Sequence, residues 1–370
     1  MLEVDKCNDI QCHIFVSGMH LLSKYGATYC DILADGYKNV YIPETLSIVD
    51  RMDINLANTI HCFSDYIRHV KPYMIVVHGD RIDALAGAIV AMLNNIPLGH
   101  IEGGEITGTA DEAMRHAISK MANVHFVANG ESRLRLIQLG EREDSIHVIG
   151  SPDIDIMLGG DLPDIKMVRC EYGIPFDNYA LLMYHPVNSE VDKLPSHVKA
   201  LEKAVVKSGR NFIAIYPNND HGCDIIISAL KRLEKNPQFK VFKSLPFEVF
   251  LTVLKNCDFM IGNSSAGIRE ACVYGIPVID LGTRQHRRYS PHILQNIMHA
   301  NEDMHAIMSC IERVDGYKRV SSYFGDGKSS IRFVEILTVP QLWHGITQKC
   351  FVDSDITQRG ILSYINEVCF

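Results

Sequence analysis

Four acidic residues in the first third of the chain could support acid–base chemistry, because of where they lie relative to short apolar segments. The four are Asp80, Glu102, Glu105 and Asp111. Residues 73–77 and 96–101 are apolar and typical of strands buried in a parallel sheet, and an acidic loop follows each of them. Ligands of open α/β sheets bind outside the carboxyl ends of the strands, so we expect these carboxylates to face one small volume.

Two of these acids also have a simpler interpretation. Asp80 and Asp111 each lie at the predicted start of a helix, where an aspartate commonly caps the first backbone N–H groups. Glu102 is harder to explain in this way, because it directly follows an apolar segment and precedes two glycines. Its carboxylate is therefore expected to project into a cleft.

A second candidate site lies in the segment 262–270, GNSSAGIRE, which follows another predicted strand. Its small residues would let backbone N–H groups approach a phosphate at a helix N-terminus, and Glu270 could accept paired hydroxyl groups such as those of a ribose. The alternative is an ordinary serine N-cap. Arginines in the next strand-end loop favour the phosphate, since a guanidinium suits it: Arg284, Arg287 and Arg288.

Histidines and one aromatic residue complete the candidates. His185 follows the first predicted strand of the second half and could protonate or hydrogen-bond a leaving phosphate, although a structural loop histidine explains it equally well. The same alternative applies to His78 and His100. Phe247, after Pro246, could form a wall for base stacking or could belong to the core.

The elements that must position these residues alternate along the chain between strands and helices. The predicted strands are 12–17, 73–77, 96–101, 124–127, 146–149, 179–184, 212–216, 240–242, 259–261 and 278–281. One predicted helix begins near Pro43, and four others cover 82–93, 111–121, 131–139 and 333–337. This order predicts an α/β protein with parallel sheets, built as two doubly wound domains that face a cleft. We place them at residues 1–160 and 161–340, followed by a tail, 341–370, that packs back or is disordered.

Composition excludes several classes of protein. The chain has 370 residues, of which 47% are hydrophobic and 22% charged, as in ordinary globular proteins. A net charge of −8 disfavours nucleic-acid binding. Its 11 cysteines form no CxxC pair, which indicates reduced thiols in a cytoplasmic protein and no zinc site. No apolar run has the length of a membrane span, and neither GxxxxGK[ST] nor GxGxxG occurs.

Several of these motifs together resemble the hydrolysing UDP-N-acetylglucosamine 2-epimerases of bacterial sialic-acid and legionaminic-acid pathways and the epimerase half of the animal bifunctional enzyme. They are HGDRIDAL, HIEGGEITGTADEAMRHAISK, the His-Pro after a strand, and GNSSAGIREACVYGIPVIDLGTRQ. The resemblance covers roughly residues 12 to 340. It implies two Rossmann-like domains of the glycosyltransferase-B type and a homo-oligomer, a dimer or tetramer.

The resemblance also implies a reaction that needs no metal or other cofactor. UDP is eliminated from UDP-N-acetylglucosamine across C1–C2, and water then adds to the 2-acetamidoglucal to give N-acetylmannosamine. The motif match makes Asp80, Glu102 and Asp111 the catalytic acids and places His185 near the diphosphate. The substrate- and UDP-binding set is then Arg81, Asn218, Phe247, Asn263, Ser264, Ser265, Gly267, Glu270 and Arg284.

The beginning of the chain departs from the family pattern. Members are expected to begin with a strand and a TGTRADYGK-like loop, whereas Met1 falls where the following helix is expected. The first strand of the N-terminal domain is therefore expected to be absent, and we expect the chain to fold poorly and to be weakly active. Residues 354–370 also match no family motif.

Four other functions are considered beside this one. The same reaction could act on a UDP-2,4-diacetamido-trideoxyhexose, or the protein could be an inactive nucleotide-sugar sensor. A retaining glycosyltransferase shares the architecture but would leave C2 unchanged. A non-hydrolysing epimerase is disfavoured, because GGEITGTAD replaces that family's Ala-Gly-Leu-Arg pattern.

Overall fold

The computed structural model describes residues 1–22, 27–49, 51–106, 110–160, 162–217, 221–286, 288–343 and 349–353. The chain forms two compact units: Met1–Pro152 with the described residues from Lys328 onward, and Asp153–Gly327. These bounds differ from the predicted divisions at residues 160 and 340. The difference arises because the helix Ser329–Leu337 packs on the first unit, where Phe333 and Phe126 lie 4.5 Å apart between ring centroids.

Within its described residues, the first unit contains six strands in two separate parallel sheets. Strands β1 (Ile14–Phe15) and β2 (Val40–Tyr41) form one sheet. The other has the order β3–β4–β5–β6, formed by Ile75–His78, Leu98–Ile101, Val124–Val127 and Ile146–Val148. Parallel pairing throughout this sheet places the ends of β3 and β4 at the same edge, as predicted.

The helices of this unit connect and flank the strands. They are α1 (Leu2–Asp5), α2 (Tyr29–Ala34), α3 (Met52–Val70), α4 (Ile82–Leu93), α5 (Ala110–Met121), α6 (Gly130–Gln138) and, with the bounds given above, Ser329–Leu337, which is α14 in chain order. Short 3-10 turns occupy Gly18–Leu21, Glu143–Ser145 and Pro340–Trp343. α4 is Ala-rich on its buried face, which lets it lie close to β3 and bury Val77 and Ala88 in one cluster.

The described part of the second unit forms one six-stranded parallel sheet. Its strands are β7 (Ala180–Met183), β8 (Phe212–Ile215), β9 (Phe239–Phe242), β10 (Met260–Gly262), β11 (Val278–Leu281) and β12 (Ile297–Ala300). The order is β12–β11–β10–β7–β8–β9. This is the doubly wound Rossmann order, in which the winding reverses between β7 and β10 and creates a switch point.

Helices α7 to α13 surround that sheet. They are Pro152–Leu158, Ile165–Tyr172, Leu194–Lys207, Cys223–Leu233, Phe247–Lys255, Glu270–Val273 and Met304–Arg313. The 3-10 turns are Asn188–Lys193, Ser265–Gly267 and Val314–Tyr317. The α/β class with parallel sheets is confirmed in both units.

Two predicted helices were wrong in detail, and the strand β12 was not predicted. The helix expected from Pro43 begins at Met52, so residues 46 and 49 lie before it. β12 was missed, because the polar His299 interrupts a short apolar pattern. The helix expected after β10 is a 3-10 turn followed by the four-residue α12, since the Ser264 side chain accepts a hydrogen bond from the Ala266 N–H and tightens the turn.

Part of the predicted tail packs on the first unit. The Lys349 ammonium donates to the Ser119 carbonyl over 2.9 Å, and the Val352 N–H donates to the Gly140 carbonyl over 3.0 Å. Among the described helices of the chain, none has the length and apolar character needed to cross a membrane.

Candidate active site

The candidate site of the first unit lies at the ends of β3 and β4. Asp80 follows β3 by two residues, and Glu102 directly follows β4. Arg115, on α5, is 6% exposed and holds this loop cluster together. Its guanidinium pairs with the Asp80 carboxylate, lies 3.7 Å from Glu105 Oε2 and donates to the Glu102 carbonyl over 2.7 Å. Arg115 thus contacts three of the four predicted acids, two of them through the carboxylate and Glu102 through its backbone carbonyl.

Glu102 is buried and its carboxylate is held on both oxygens. Ser151, beyond β6, donates its hydroxyl to Oε1 over 2.5 Å, and His78 Nε2 lies 3.1 Å from Oε2. The Glu102 backbone has a φ of 62°, a left-handed conformation that a non-glycine residue adopts only when its surroundings enforce it. The backbone enforces it here, because the Glu102 N–H donates to the Phe126 carbonyl over 2.8 Å.

The two glycines after Glu102 are explained by close packing. A Cβ on Gly103 would lie 2.7 Å from Ser119 Oγ, and a Cβ on Gly104 would lie 2.4 Å from the Ser132 carbonyl oxygen. Neither position therefore admits a side chain without movement of the loop. Packing of this loop against α5 and α6 fixes the direction of the preceding carboxylate.

The simpler interpretation of two acids as N-caps does not describe the structure. The N-cap of α4 is Arg81, which is exposed, and Asp80 pairs with Arg115 instead. Asp111 is the second residue of α5 and is exposed. Its catalytic role remains a prediction.

His100 is a core residue. It is fully buried; Nε2 donates to the Gly79 carbonyl over 2.9 Å, and Nδ1 accepts from the Ser119 hydroxyl over 2.9 Å. Burial lowers the pKa of His100 to about 3, so its imidazole stays neutral at physiological pH. The structural alternative therefore holds for His100, whereas His78 faces the Glu102 carboxylate.

A second candidate site lies at the switch point of the second unit. His185 follows β7 and Asn263 follows β10, and the two residues are joined twice. The His185 N–H donates to Asn263 Oδ1 over 2.7 Å, and Asn263 Nδ2 donates to the His185 carbonyl over 2.8 Å. The Asn263 carbonyl accepts from Arg284 over 2.9 Å and from the Gln285 side chain over 2.7 Å. Asn263 therefore connects three strand-end loops.

The remaining predicted site residues of the second unit lie in a tight turn, at a helix start and on the surface. Ser264 caps the turn that contains Ser265 and Gly267, and Gly267 packs where a Cβ would lie 2.9 Å from Val278. Glu270 is the first residue of α12. Phe247, at 37% exposed, belongs to the surface rather than to the core. Asn218 and Arg287 lie outside the described residues.

One histidine–carboxylate cluster in the second unit has ligand spacing. Glu190, His197 and Glu302 present atoms within 4.8 Å of one another. Hydrogen bonds account for the arrangement, because His197 Nδ1 lies 3.0 Å from Glu302 Oε2 and the Thr283 hydroxyl donates to Glu190 over 2.8 Å. This cluster carries no argument for a metal.

Sequence reasoning missed three residues of the site. Arg115 and Ser151 were not assigned a role, and neither was Gln285, which is fully buried. A signal existed for Arg115, which lies on a helix directly after the acidic loop. Nothing local distinguishes Ser151, since its contact with Glu102 spans 49 residues of sequence.

The fold and these residues define a Rossmann-type α/β protein with a carboxylate site in one unit and a switch-point site in the other. A family model described as UDP-N-acetylglucosamine 2-epimerase matches residues 2–338, and the chain belongs to this family.

Individual relatives agree with this assignment. The chain is 40% identical to the UDP-N-acetylglucosamine 2-epimerase of Neisseria meningitidis serogroup B, over 94% of this chain and 93% of the relative. It is 33% identical to the hydrolyzing UDP-N,N'-diacetylbacillosamine 2-epimerase of Legionella pneumophila, over 92% of each. The solved UDP-GlcNAc 2-epimerase of Neisseria meningitidis bound to UDP-GlcNAc has a TM-score of 0.72 and 18% identity, with 91% of this chain and 94% of that chain covered. This last likeness confirms the predicted fold class.

Proposed function

We propose that the protein is a hydrolysing UDP-N-acetylglucosamine 2-epimerase, which converts UDP-N-acetylglucosamine and water to UDP and N-acetylmannosamine. The observation that carries the proposal is the loop cluster at the strand ends of the first unit, where Arg115 contacts the carboxylates of Asp80 and Glu105 and the backbone carbonyl of Glu102. The relatives named above support the same substrate class.

The chemistry needs a base for the C2 proton, assistance for the departing diphosphate and an acid that returns a proton to C2. Carboxylates are suited to the first and last tasks. Arg115 compensates their charge, so that several acids can remain side by side in a buried loop cluster. Asp111 is assigned here with Asp80 and Glu102 as a catalytic acid.

The switch-point residues suit the nucleotide. His185 is assigned to the diphosphate, and Arg284 to a phosphate, because guanidinium groups bind phosphate oxygens with good geometry. Ser264, Ser265, Gly267 and Glu270 are assigned to UDP together with Asn263, Arg81, Asn218 and Phe247. Asn263 contributes by holding the loops of His185 and Arg284 together.

A second substrate has specific support. The Legionella relative is named for UDP-N,N'-diacetylbacillosamine and a hydrolyzing reaction. The same bonds break and form in both sugars, so the carboxylate cluster serves either one. The two sugars differ in their substituents at C4 and C6, so contacts to these substituents decide which sugar the protein accepts.

The test is proton and phosphorus NMR of the purified chain with UDP-N-acetylglucosamine in deuterated water. We expect UDP and N-acetylmannosamine carrying deuterium at C2. UDP-N-acetylmannosamine as the accumulating product would show a non-hydrolysing epimerase and overturn the proposal. An unchanged spectrum calls for the diacetamido sugar, and lack of reaction with both would favour a nucleotide-sugar sensor.

A further inference from the structure

The buried Glu102 carboxylate has two hydrogen-bonding partners that differ in their access to water. Glu102 is 7% exposed, and Ser151, which donates to Oε1, is fully buried. His78, whose Nε2 lies 3.1 Å from Oε2, has a side chain that is 46% exposed. Of these two partners, only His78 connects the carboxylate with the solvent.

Glu102 lies in a loop, but contacts on both sides of its backbone hold it in place. Its φ of 62° is a strained conformation for a non-glycine residue, and such conformations cluster at functional sites. The Glu102 N–H and carbonyl are both engaged, with the Phe126 carbonyl and the Arg115 guanidinium. The carboxylate therefore faces His78 in a fixed geometry rather than by a chance surface encounter.

The proposed reaction requires such a connection. A carboxylic acid that gives a proton to C2, or a carboxylate that removes one, must return to its starting protonation state before the next turnover. A buried group cannot do this directly with bulk water. An imidazole can, because it accepts a proton at one ring nitrogen and releases another from the second nitrogen, with an ordinary pKa near neutrality.

The other histidine of this loop cluster cannot serve. Both ring nitrogens of His100 are occupied, by the Gly79 carbonyl and the Ser119 hydroxyl, and the ring is fully buried. His78 and His100 lie on neighbouring strands, and only His78 contacts the acid.

We propose that His78 relays protons between the Glu102 carboxyl group and the solvent. This inference rests on the proposed function. A proton passes from Glu102 Oε2 to His78 Nε2 while the proton on Nδ1 leaves to water, and the reverse transfer recharges Glu102. No other bond is made or broken, and His78 acts through Glu102 rather than on the sugar.

The experiment compares the intact wild-type chain with His78→Gln, whose amide can still hydrogen-bond Glu102 but cannot relay a proton. We expect kcat to fall about 10- to 100-fold, within the range of general acid–base effects, with KM unchanged. Millimolar imidazole in the buffer should restore much of the lost rate. His61→Gln is the matched control, because His61 faces Asp65 at 3.9 Å with an 81% exposed side chain; its kcat should equal that of the wild type.

Several results would overturn the relay. An unchanged kcat in His78→Gln would do so, as would a loss that imidazole does not rescue, since a structural role predicts no rescue. If the wild-type chain itself forms no product, the proposed function fails, and NMR titration of the His78 imidazole then decides the relay. Its titration must shift in Glu102→Gln; an identical titration curve would disprove the coupling.

Discussion

The candidate sites of the two units are built on different interactions. In the first unit a buried guanidinium, Arg115, gathers two carboxylates and a carbonyl. In the second unit a neutral amide, Asn263, gathers backbone groups from the loop of His185 and presents its own carbonyl to Arg284. The first arrangement collects groups that can exchange protons, whereas the second fixes the spacing of loops. We infer that proton transfer to and from C2 is concentrated in the first unit and most of the nucleotide binding in the second.

The largest effect is expected from removing the charge of either central acid. Asp80→Asn and Glu102→Gln should each lower kcat by about 10²- to 10⁴-fold, because each removes an acid–base group but retains its shape. UDP binding, measured by calorimetry, should stay within about a factor of two of the wild type, since neither acid is among the residues assigned to UDP. Asp53→Asn, on an exposed helix start, is the control. A large loss of UDP affinity would contradict the separation.

The next prediction compares two glycines at strand ends, one in each unit: Gly262 is the last residue of β10, and Gly79 directly follows β3. A Cβ on Gly262, with φ of 139°, would lie 1.8 Å from the Met183 carbonyl oxygen, whereas a Cβ on Gly79, with φ of 75°, has nothing within 4 Å. Gly262→Ala should therefore lower the free energy of unfolding by about 3 kcal/mol or more, and Gly79→Ala by about 1–2 kcal/mol.

Chemical denaturation followed by circular dichroism measures both losses. The comparison isolates the close approach of β10 to β7, because both substitutions add the same methyl group at a positive φ. Equal losses in the free energy of unfolding would show that the backbone between β10 and β7 moves to accept the added methyl group. The loop of Asn263 would then be more adaptable than its contacts indicate.

Acid should change the contributions of two buried carboxyl groups to stability in opposite directions. Glu141, in the first unit, is desolvated by burial, but hydrogen bonds from His125, Lys349 and Lys120 more than offset this and lower its pKa to about 2. A lowered carboxyl pKa gives stability that is present above the unfolded pKa, near 4.5, and is lost as pH falls toward 2, up to about 3 kcal/mol. Asp280, in the second unit, has a pKa raised by burial, and its contribution weakens as pH rises.

Melting curves between pH 7 and pH 3 test this contrast. Glu141→Gln should be less stable at pH 7 and should lose less stability on acidification than the wild type. Asp280→Asn, which can still accept the Tyr289 hydroxyl, should gain stability relative to the wild type as pH rises. Parallel pH profiles for the two variants would contradict the opposite signs.

Much of the fold followed from local sequence, but the site did so only in part. The bounds of α4, β5 and β11 agree with the predicted ranges, because apolar period and flanking polar residues mark each of them. The placement of Asp80 and Glu102 at one sheet edge followed from parallel pairing of adjacent strands. Local pattern thus located the acids.

The groups that orient the acids could not be found in this way. Arg115 lies 35 residues from Asp80, and Ser151 lies 49 residues from Glu102. Such contacts depend on how α5 and the loop after β6 pack, which no local period encodes. Asn263 was named as a binding residue, but its double hydrogen bond with His185 depends on the return of the chain from β9 to β10 beside β7.

The smallest of these effects concerns the shape of the Arg115 cation rather than its charge. Arg115→Lys keeps the charge, but a single ammonium cannot reach Asp80, Glu105 and the Glu102 carbonyl with the fork geometry of a guanidinium. We expect kcat to fall about tenfold with UDP affinity unchanged, because the acids remain but lose their relative positions. Arg232→Lys is the control, since Arg232 binds Glu202 with two nitrogens on the exposed surface of the second unit. Full activity in Arg115→Lys would mean that charge compensation alone organises the acids, and that the fixed geometry assigned to the first unit is unnecessary.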